Sequence, residues 1–208
     1  MSAPARILVA TRNPGKLSEF RDLLAFAGTR VLSPEDLGWT ETVAESGETL
    51  EENALAKARA GARATGLITL ADDSGLFVDA LDGAPGVESA RYAGAAQDAA
   101  ANCRMLLDAL SGVPSEERGA EFRCVLALVA PDGTERVFTG RCRGVIQSEA
   151  RGGGGFGYDP LFVAAGQTAT FAEMDASEKH GLSHRGRALG RLRQAFADMA
   201  ENGDPSRG

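Results

Sequence analysis

The sequence predicts an α/β fold, because short apolar runs with the length of strands alternate with segments whose apolar residues recur at helical spacing. Residues 7–10 form such a run, and helical spacing follows at 17–27. A second helical pattern at 49–66 leads into the apolar run 67–71. Residues 122–139 then have the pattern of a β hairpin with Pro-Asp-Gly at its turn.

The composition is that of an ordinary globular protein. Its 208 residues, 43% hydrophobic and 25% charged, can bury a sizeable core as one large or two small domains. The net charge of -7 argues against binding duplex nucleic acid, which favours a basic surface. The three cysteines lack CxxC spacing and are expected to stay reduced. Without a signal-peptide pattern or an apolar stretch of about 18 residues, a cytoplasmic location with no membrane contact is expected.

The segment TRNPGK links the first strand to the first helix. Asn13 is the predicted N-cap and Pro14 lies in the first turn, so the backbone N–H groups of Gly15 and Lys16 would point out of the helix N-terminus. Such a terminus attracts phosphate. The segment lacks the Gly and Ser/Thr positions of a Walker A loop, and an ordinary capped helix is the alternative.

The start of the next helix is marked by Thr49 and Glu52, which have the spacing of a capping box. Asn53 and Lys57 lie one turn apart on a polar side of this helix. Because most charged residues on such a side are solvated, only Lys57 and the preceding Glu45 are predicted to act in a site.

Asp72 and Asp73 follow the second apolar run, and Ser74 with Gly75 are predicted to end that strand. The two carboxylates would then lie at the C-terminal end of a strand, where ligands bind in open α/β sheets. Adjacent carboxylates in this setting indicate a metal site, which Glu45 could share. A solvated turn is the alternative.

Four consecutive glycines at 152–155 precede Phe156, Tyr158 and Asp159. A glycine run predicts either a mobile loop or a close approach of the backbone to a ligand. An aromatic ring and a carboxylate suit a flat heterocycle that stacks and forms hydrogen bonds. The alternative is a surface hairpin tip whose aromatic rings pack into the core.

The last helical pattern begins after Ser183, its predicted N-cap, and places His184 and Arg185 in the first turn. Cations in a first turn oppose the helix dipole, so they favour an anion or acceptor beside them and indicate a ligand. Residues 200–208 are predicted to be a frayed tail. The apolar face of this helix is formed by Leu189, Leu192, Phe196 and Met199.

Five segments, in this order, carry a family resemblance: TRNPGK, ESGETLEENALAKA, ADDSGLFVDALDGAPGVESARYAG, GGFGYDP and SEKHGLSHRG. They resemble the Ham1/RdgB-like family of nucleoside triphosphate pyrophosphatases, which act on purine nucleotides with non-standard bases. The resemblance spans about residues 7–195. It implies an elongated, two-lobed α/β fold over residues 1–208, with a long mixed central sheet, flanking helices and an active-site cleft between the lobes. It also implies a homodimer and Mg²⁺-dependent hydrolysis of ITP, dITP and XTP to the monophosphate and pyrophosphate.

The resemblance further assigns roles to individual residues. Asp73 would be the general base and a metal ligand, with Asp72 and Glu45 as further ligands. In several relatives an acidic ligand stands at the position of Ala44, so Glu45 is expected to take its place. The implied substrate-binding residues are Thr11, Arg12, Asn13, Pro14, Gly15, Lys16, Lys57, Ser74, Phe156, Gly157, Tyr158, Asp159, Lys179, His184 and Arg185.

Within this set the loop 11–16 would hold the triphosphate, while Phe156 stacks on the base and Asp159 forms a hydrogen bond with it. His184 and Arg185 would read the purine edge. Hypoxanthine and xanthine present an O6 acceptor where adenine presents an amino donor, so donors from these two residues would pair with the first two bases and clash with adenine.

Two other function classes fit parts of the sequence. A haloacid-type phosphatase needs a DxD motif after its first strand, whereas Asp72 and Asp73 are adjacent and follow a later strand. A non-catalytic nucleotide-binding module would keep the cations but would not need Asp73. Release of pyrophosphate rather than phosphate from ITP separates the three classes.

Overall fold

The computed structural model describes residues 5–24 and 29–202, with side chains described up to residue 197. Within these residues the chain forms seven strands and five α-helices. The strands are β1 (Arg6–Val9), β2 (Arg30–Leu32), β3 (Thr69–Val78), β4 (Pro85–Gly86), β5 (Gly119–Val129), β6 (Glu135–Ile146) and β7 (Phe162–Ala164). The helices are α1 (Pro14–Leu24), α2 (Leu50–Thr65), α3 (Ala99–Ala109), α4 (Ala176–Leu182) and α5 (His184–Asn202).

Some predictions fall outside the described part of the chain. Residues 25–28, with the end of the first helical pattern, and residues 203–208 of the predicted tail are among them. The side chain of Met199 on the apolar face of α5 is another. These predictions stay predictions.

The described strands form a mixed sheet in the order β2-β1-β3-β5-β6-β7, with β4 paired to β3. β1 is parallel to both β2 and β3, whereas β4 is antiparallel to β3 and β7 is antiparallel to β6. The predicted α/β class and mixed sheet are therefore confirmed. None of the described helices combines the length and the apolar character needed to cross a membrane.

The chain divides into two compact units. The first consists of the described residues within Met1–Asp73, Val125–Thr139 and Arg187–Gly208, and the second of Ser74–Cys124 and Gly140–Gly186. β3 passes from the first unit to the second directly after the acid pair. The core of the first unit includes Leu8, Phe20, Ala58, Leu70, Leu126 and Leu192, each fully buried. The core of the second includes Leu76, Leu106, Leu110, Leu161, Phe162 and Phe171.

Local sequence signals set several helix ends as predicted. Asn13, Thr49 and Ser183 each accept a hydrogen bond from the backbone N–H three residues later, which is the bond of an N-cap. The helix α4 was not predicted. Its signal is the capping box formed by Asp175 and Glu178, in which each side chain bonds the other residue's backbone N–H.

β3 is longer than predicted. Asp72 and Asp73 are the fourth and fifth of its ten residues, so the prediction that the strand ends at Ser74 is wrong. Its parallel neighbour β1 does end beside them, because the Ala10 N–H donates to the Leu70 carbonyl oxygen at 2.8 Å. The acid pair therefore lies just past the end of β1, level with the start of the loop 11–16.

Gly75 lies within β3 and does not end it. A Cβ at this position would collide with the backbone carbonyl oxygen of Gly86 in β4, so glycine is required by close strand packing. The next residue, Leu76, pairs with Gly86, and its N–H donates to Ser89 Oγ at 2.8 Å. Because of these contacts, β3 continues past Ser74 and Gly75, although a Ser-Gly pair is typical of turns.

Candidate active site

The carboxylates of Asp72 and Asp73 are held by lysines from different helices. Successive residues of a strand project to opposite faces, which separates the two side chains. Asp72 Oδ2 lies 3.0 Å from Lys16 Nζ in α1, and Asp73 Oδ1 lies 3.1 Å from Lys57 Nζ in α2. The structure therefore brings together four of the predicted site residues as two ion pairs.

Lys57 is shared between two acids. Its Nζ also lies 2.7 Å from Glu45 Oε1, and its side chain is only 11% exposed. Burial works to lower the pKa of Lys57, but the carboxylates of Asp73, Asp72 and Glu45 outweigh burial, and the pKa is raised. Lys57 is therefore a fixed positive charge at neutral pH.

Asp73 has an environment suited to proton transfer. Burial raises its pKa above the ordinary value, a change that the charge of Glu45 reinforces and that the ammonium groups of Lys57 and Lys16 oppose only in part. A carboxylate with a raised pKa accepts a proton more readily than an exposed one, which is the property of a general base. An added cation beside Asp73 would lower that pKa again.

Asn53 belongs to this cluster, although only its polar position was noticed in the sequence. It is 2% exposed, and its Nδ2 donates to Asp73 Oδ2 at 3.1 Å. Its Oδ1 accepts a hydrogen bond from the Gly47 N–H at 2.8 Å. The signal that could have identified it is its place one helical turn before Lys57, on the side of α2 that faces Asp73.

The loop after β1 is stabilised by its own contacts. Thr11 Oγ1 accepts from the Asn13 N–H at 3.2 Å, and the Lys16 N–H donates to Asn13 Oδ1 at 3.0 Å. The Lys16 N–H at the helix N-terminus is therefore already used by the predicted Asn13 cap. The Arg12 guanidinium donates to Trp39 O, Glu41 O and Thr42 Oγ1, so in this structure it holds the segment 39–42.

The acid pair suits a hard divalent cation. Mg²⁺ prefers oxygen ligands, and Asp72, Asp73 and Glu45 supply carboxylates. Within residues 5–24 and 29–202, no three His, Cys, Asp or Glu side chains are grouped so that they could hold a metal ion by themselves. Mg²⁺ usually binds through one or two carboxylates together with waters and substrate phosphates. The site therefore fits an ion that takes some of its ligands from the protein and the others from a nucleotide and water.

A second cluster of predicted residues lies within the second unit, around the ring of Phe156. Lys179 Nζ lies 4.7 Å and the Arg185 guanidinium carbon 5.5 Å from the centroid of this ring. Asp159 Oδ2 accepts from Lys179 Nζ at 2.8 Å and from the Phe156 N–H at 2.7 Å. An aromatic ring flanked by donors can bind a flat heterocycle that carries acceptor atoms.

The glycine run makes close contacts with the protein itself. Gly155 has a φ of 69°, and a Cβ there would collide with the carboxylate of Asp159. A Cβ at Gly152 would meet the backbone of Ala172 at 2.5 Å. The run therefore approaches an acidic side chain and the backbone of the protein closely, and its approach to a ligand stays a prediction.

Tyr158 and Asp159 are the buried residues of the segment 156–159. Tyr158 is 4% exposed, packs in the core of the second unit and donates its hydroxyl hydrogen to the Ser89 carbonyl oxygen at 2.9 Å. The Gly157 carbonyl oxygen lies 3.4 Å from Cys103 Sγ. Cys103, Cys124 and Cys142 form no disulfide, as predicted.

The first turn of α5 is buried rather than solvated. His184 stacks on Phe122, with ring centroids 4.7 Å apart and planes 9° from parallel. Arg185 is 2% exposed, and its Nη2 donates to Ser74 Oγ at 3.2 Å. The Ser74 hydroxyl and the Phe156 ring thus offset part of the cost of placing the Arg185 cation at a helix N-terminus.

Comparisons with known proteins match almost the whole chain. The sequence matches the Ham1 family over residues 7–195. The dITP/XTP pyrophosphatase of Nocardia farcinica is 51% identical over 200 residues, which are 95% of this chain and 97% of that relative. The Ham1 protein from Coxiella burnetii superposes with a TM-score of 0.84 at 38% identity, covering 94% of this chain and 100% of the other. A nucleoside-triphosphatase / dITP/XTP pyrophosphatase from Mycobacterium abscessus superposes with a TM-score of 0.72 at 50% identity, covering 90% and 98%.

Proposed function

Because this chain belongs to the Ham1 family, we propose that it hydrolyses purine nucleoside triphosphates with non-standard bases, namely ITP, dITP and XTP, to the monophosphate and pyrophosphate. One observation carries the proposal. A chain that is 51% identical to a dITP/XTP pyrophosphatase places the buried acids Asp72 and Asp73 beside Lys16 and Lys57.

The cluster of the first unit is assigned to the phosphates. A nucleoside triphosphate carries about four negative charges, and phosphoryl transfer depends mainly on positioning and charge stabilisation. Lys16 and Lys57 provide compact cations of the kind that suits phosphate oxygens. The loop 11–16, including Pro14 and Gly15, leads into the N-terminus of α1, whose dipole favours an anion.

Asp73 is assigned as the general base. Hydrolysis adds water across the α–β phosphoanhydride, and a base within hydrogen-bond reach takes a proton from that water. The burial of Asp73 and its contacts with Lys57 and Asn53 support this role. Enzymes of this family generally need a divalent metal ion, and we assign Mg²⁺ to one or two of the carboxylates Asp72, Asp73 and Glu45, with waters and substrate phosphates as its other ligands. When bound, Mg²⁺ supplies positive charge that stabilises the charge developing on the phosphate oxygens.

The cluster of the second unit is assigned to the base. Phe156 would stack on the purine, and the segment 156–159 would form one wall of its site, with Asp159 as a hydrogen-bonding group. His184 and Arg185 would donate to O6, while Lys179 and Ser74 would contact the nucleotide. The buried donors around Phe156 support this assignment.

The same family membership leads us to propose a cytoplasmic homodimer that acts on free nucleotides. Nucleic acid and membranes are not proposed as partners, and the net charge of -7 supports the exclusion of duplex nucleic acid.

The direct test is product analysis with purified protein. With Mg²⁺, dITP and XTP should give pyrophosphate as the primary product, and dATP should be hydrolysed far more slowly. A chelator should abolish turnover. Orthophosphate as the primary product, equal rates with dATP, or full activity in chelator would each contradict the proposal.

A further inference from the structure

We propose that Asn53 is a positioning residue that orients the carboxylate of Asp73 and couples it to the segment 45–49. Its kinetic consequence rests on the proposed function, in which Asp73 is the general base. The structural part of the inference, an orientation imposed on Asp73 by a buried amide, stands independently of the reaction.

The two ends of the Asn53 amide cannot exchange roles. The Gly47 N–H can only donate, so it fixes the amide oxygen as the atom that faces it, at 2.8 Å. The Nδ2 group must then face Asp73 Oδ2, at 3.1 Å, and it can only donate there. Because Asn53 is 2% exposed, water does not substitute for either contact without cost. Asn53 therefore requires an acceptor at Asp73 Oδ2.

Two residues one turn apart on α2 hold the same carboxylate. Lys57 Nζ lies 3.1 Å from Asp73 Oδ1 while Asn53 holds Oδ2, so both oxygens have a defined partner. Two contacts at the two oxygens fix the rotation of the carboxylate plane, which one contact would leave open. Catalytic groups need their geometry held to within about 0.5 Å and 10–20° by such supporting contacts.

Asn53 also ties Asp73 to the segment that carries Glu45. The Gly47 N–H reaches Asn53, and the neighbouring Glu48 N–H donates to Glu52 Oε2 at 2.8 Å. Both contacts anchor the segment 45–49 to the first turn of α2. Among the contacts of the described residues, the Glu52 carboxylate reaches the Glu48 N–H and not Asp73, so Glu52 offers a matched control for anchoring without orientation.

The kinetic test compares Asn53→Ala with Glu52→Ala. Asn53→Ala should lower kcat for dITP by about tenfold or more, since a hydrogen bond to a charged group is lost, while KM stays within about threefold. Glu52→Ala should change kcat by less than about threefold. Equal decreases in kcat for both variants would show that Asn53 only anchors the segment 45–49, which would contradict an orienting role. An unchanged kcat for Asn53→Ala would also overturn the proposal.

An isosteric variant guards against loss of folding. Asn53→Leu keeps nearly the size of the side chain but can neither donate to Asp73 nor accept from the Gly47 N–H. Its kcat should fall about as far as that of Asn53→Ala, with native circular dichroism. Wild-type kcat in Asn53→Leu would contradict an orienting donor.

A stability measurement without nucleotide or metal separates this inference from the proposed function. Urea midpoints of Asn53→Ala, Asp73→Ala and the double variant form a double-mutant cycle. If the hydrogen bond couples the two residues, the urea midpoint of the double variant should fall by less than the sum of the decreases in the two single variants. Additive losses would refute the contact as an energetic link. If the wild type released no pyrophosphate but the cycle showed coupling, the proposed function would fail while the orientation of Asp73 by Asn53 would hold.

Discussion

Asp72 and Asp73 are consecutive residues of β3, yet their carboxylates contact different lysines. Asp72 Oδ2 lies 3.0 Å from Lys16 Nζ, and Asp73 Oδ1 lies 3.1 Å from Lys57 Nζ. Only Asp73 has the additional amide contact from Asn53. The two acids are therefore chemically distinct, and their substitution should have distinct effects.

Lys57→Met should destabilise the protein strongly. Removing one partner of a buried ion pair leaves the carboxylates of Asp73 and Glu45 without their shared cation, which costs about 3–5 kcal/mol. Urea denaturation at pH 8 measures the loss. Arg59→Met in the same helix is the control, because the Arg59 side chain is 47% exposed where it pairs with Glu135. The control should cost about 1 kcal/mol or less, and equal losses in the two variants would contradict the shared-cation account.

Arg185→Ala should change the choice of base. If Arg185 donates to O6, its loss should lower kcat/KM for ITP relative to ATP by about ten- to hundredfold, because a charged hydrogen bond is worth about 1.5–3 kcal/mol. Circular dichroism must first show native helicity, since Arg185 is 2% exposed in the first turn of α5.

Ser74→Ala is the control for this prediction, because it removes the partner of Arg185 Nη2 but leaves the guanidinium in place. Its ITP/ATP ratio should stay close to that of the wild type. Equal losses with both nucleotides in Arg185→Ala would identify Arg185 as a phosphate-binding or structural residue.

Cys103 should react slowly with alkylating agents in the native protein. Burial, reinforced by the charge of Asp159, raises the pKa of the thiol from 9.0 to about 11. The thiolate is the reactive form, so at pH 8 its population is about hundredfold lower than in the unfolded chain. Because the pKa is raised, the rate should keep rising by about tenfold per pH unit up to about pH 11, where the thiol is half ionised, instead of levelling off near pH 9.0. Peptide mapping after iodoacetamide treatment measures it, and rapid alkylation of native Cys103 at pH 8 would contradict the burial of this thiol.

Features written in local sequence were predictable. Asn13, Thr49 and Ser183 cap their helices because short polar side chains reach a backbone N–H three residues later. The hairpin predicted at residues 122–139 corresponds to β5 and β6, which are hydrogen-bonded neighbours in the sheet. Such signals act within a few residues and do not depend on the rest of the fold.

Features set by partners distant in sequence were not predictable. Ser74 and Gly75 have the composition of a turn, but pairing with β4 keeps them in a strand. Asn53 looked like one polar residue among several, because its importance depends on Asp73, 20 positions later. Arg12 was assigned to the triphosphate, and only the structure shows that its guanidinium holds the segment 39–42.

The measurement that tests the central claim most directly is pyrophosphate release from dITP by the wild type, Asp73→Asn and Asp72→Asn, with Mg²⁺ present. An amide cannot accept the proton of the attacking water, so Asp73→Asn should lose most turnover while keeping native circular dichroism. Asp72→Asn should be milder, because Asp72 is assigned to the metal ion and its pairing with Lys16 and not to the proton transfer. Turnover by Asp73→Asn within about threefold of the wild type, roughly 0.65 kcal/mol on the barrier, would contradict the account and assign the chemistry to another residue.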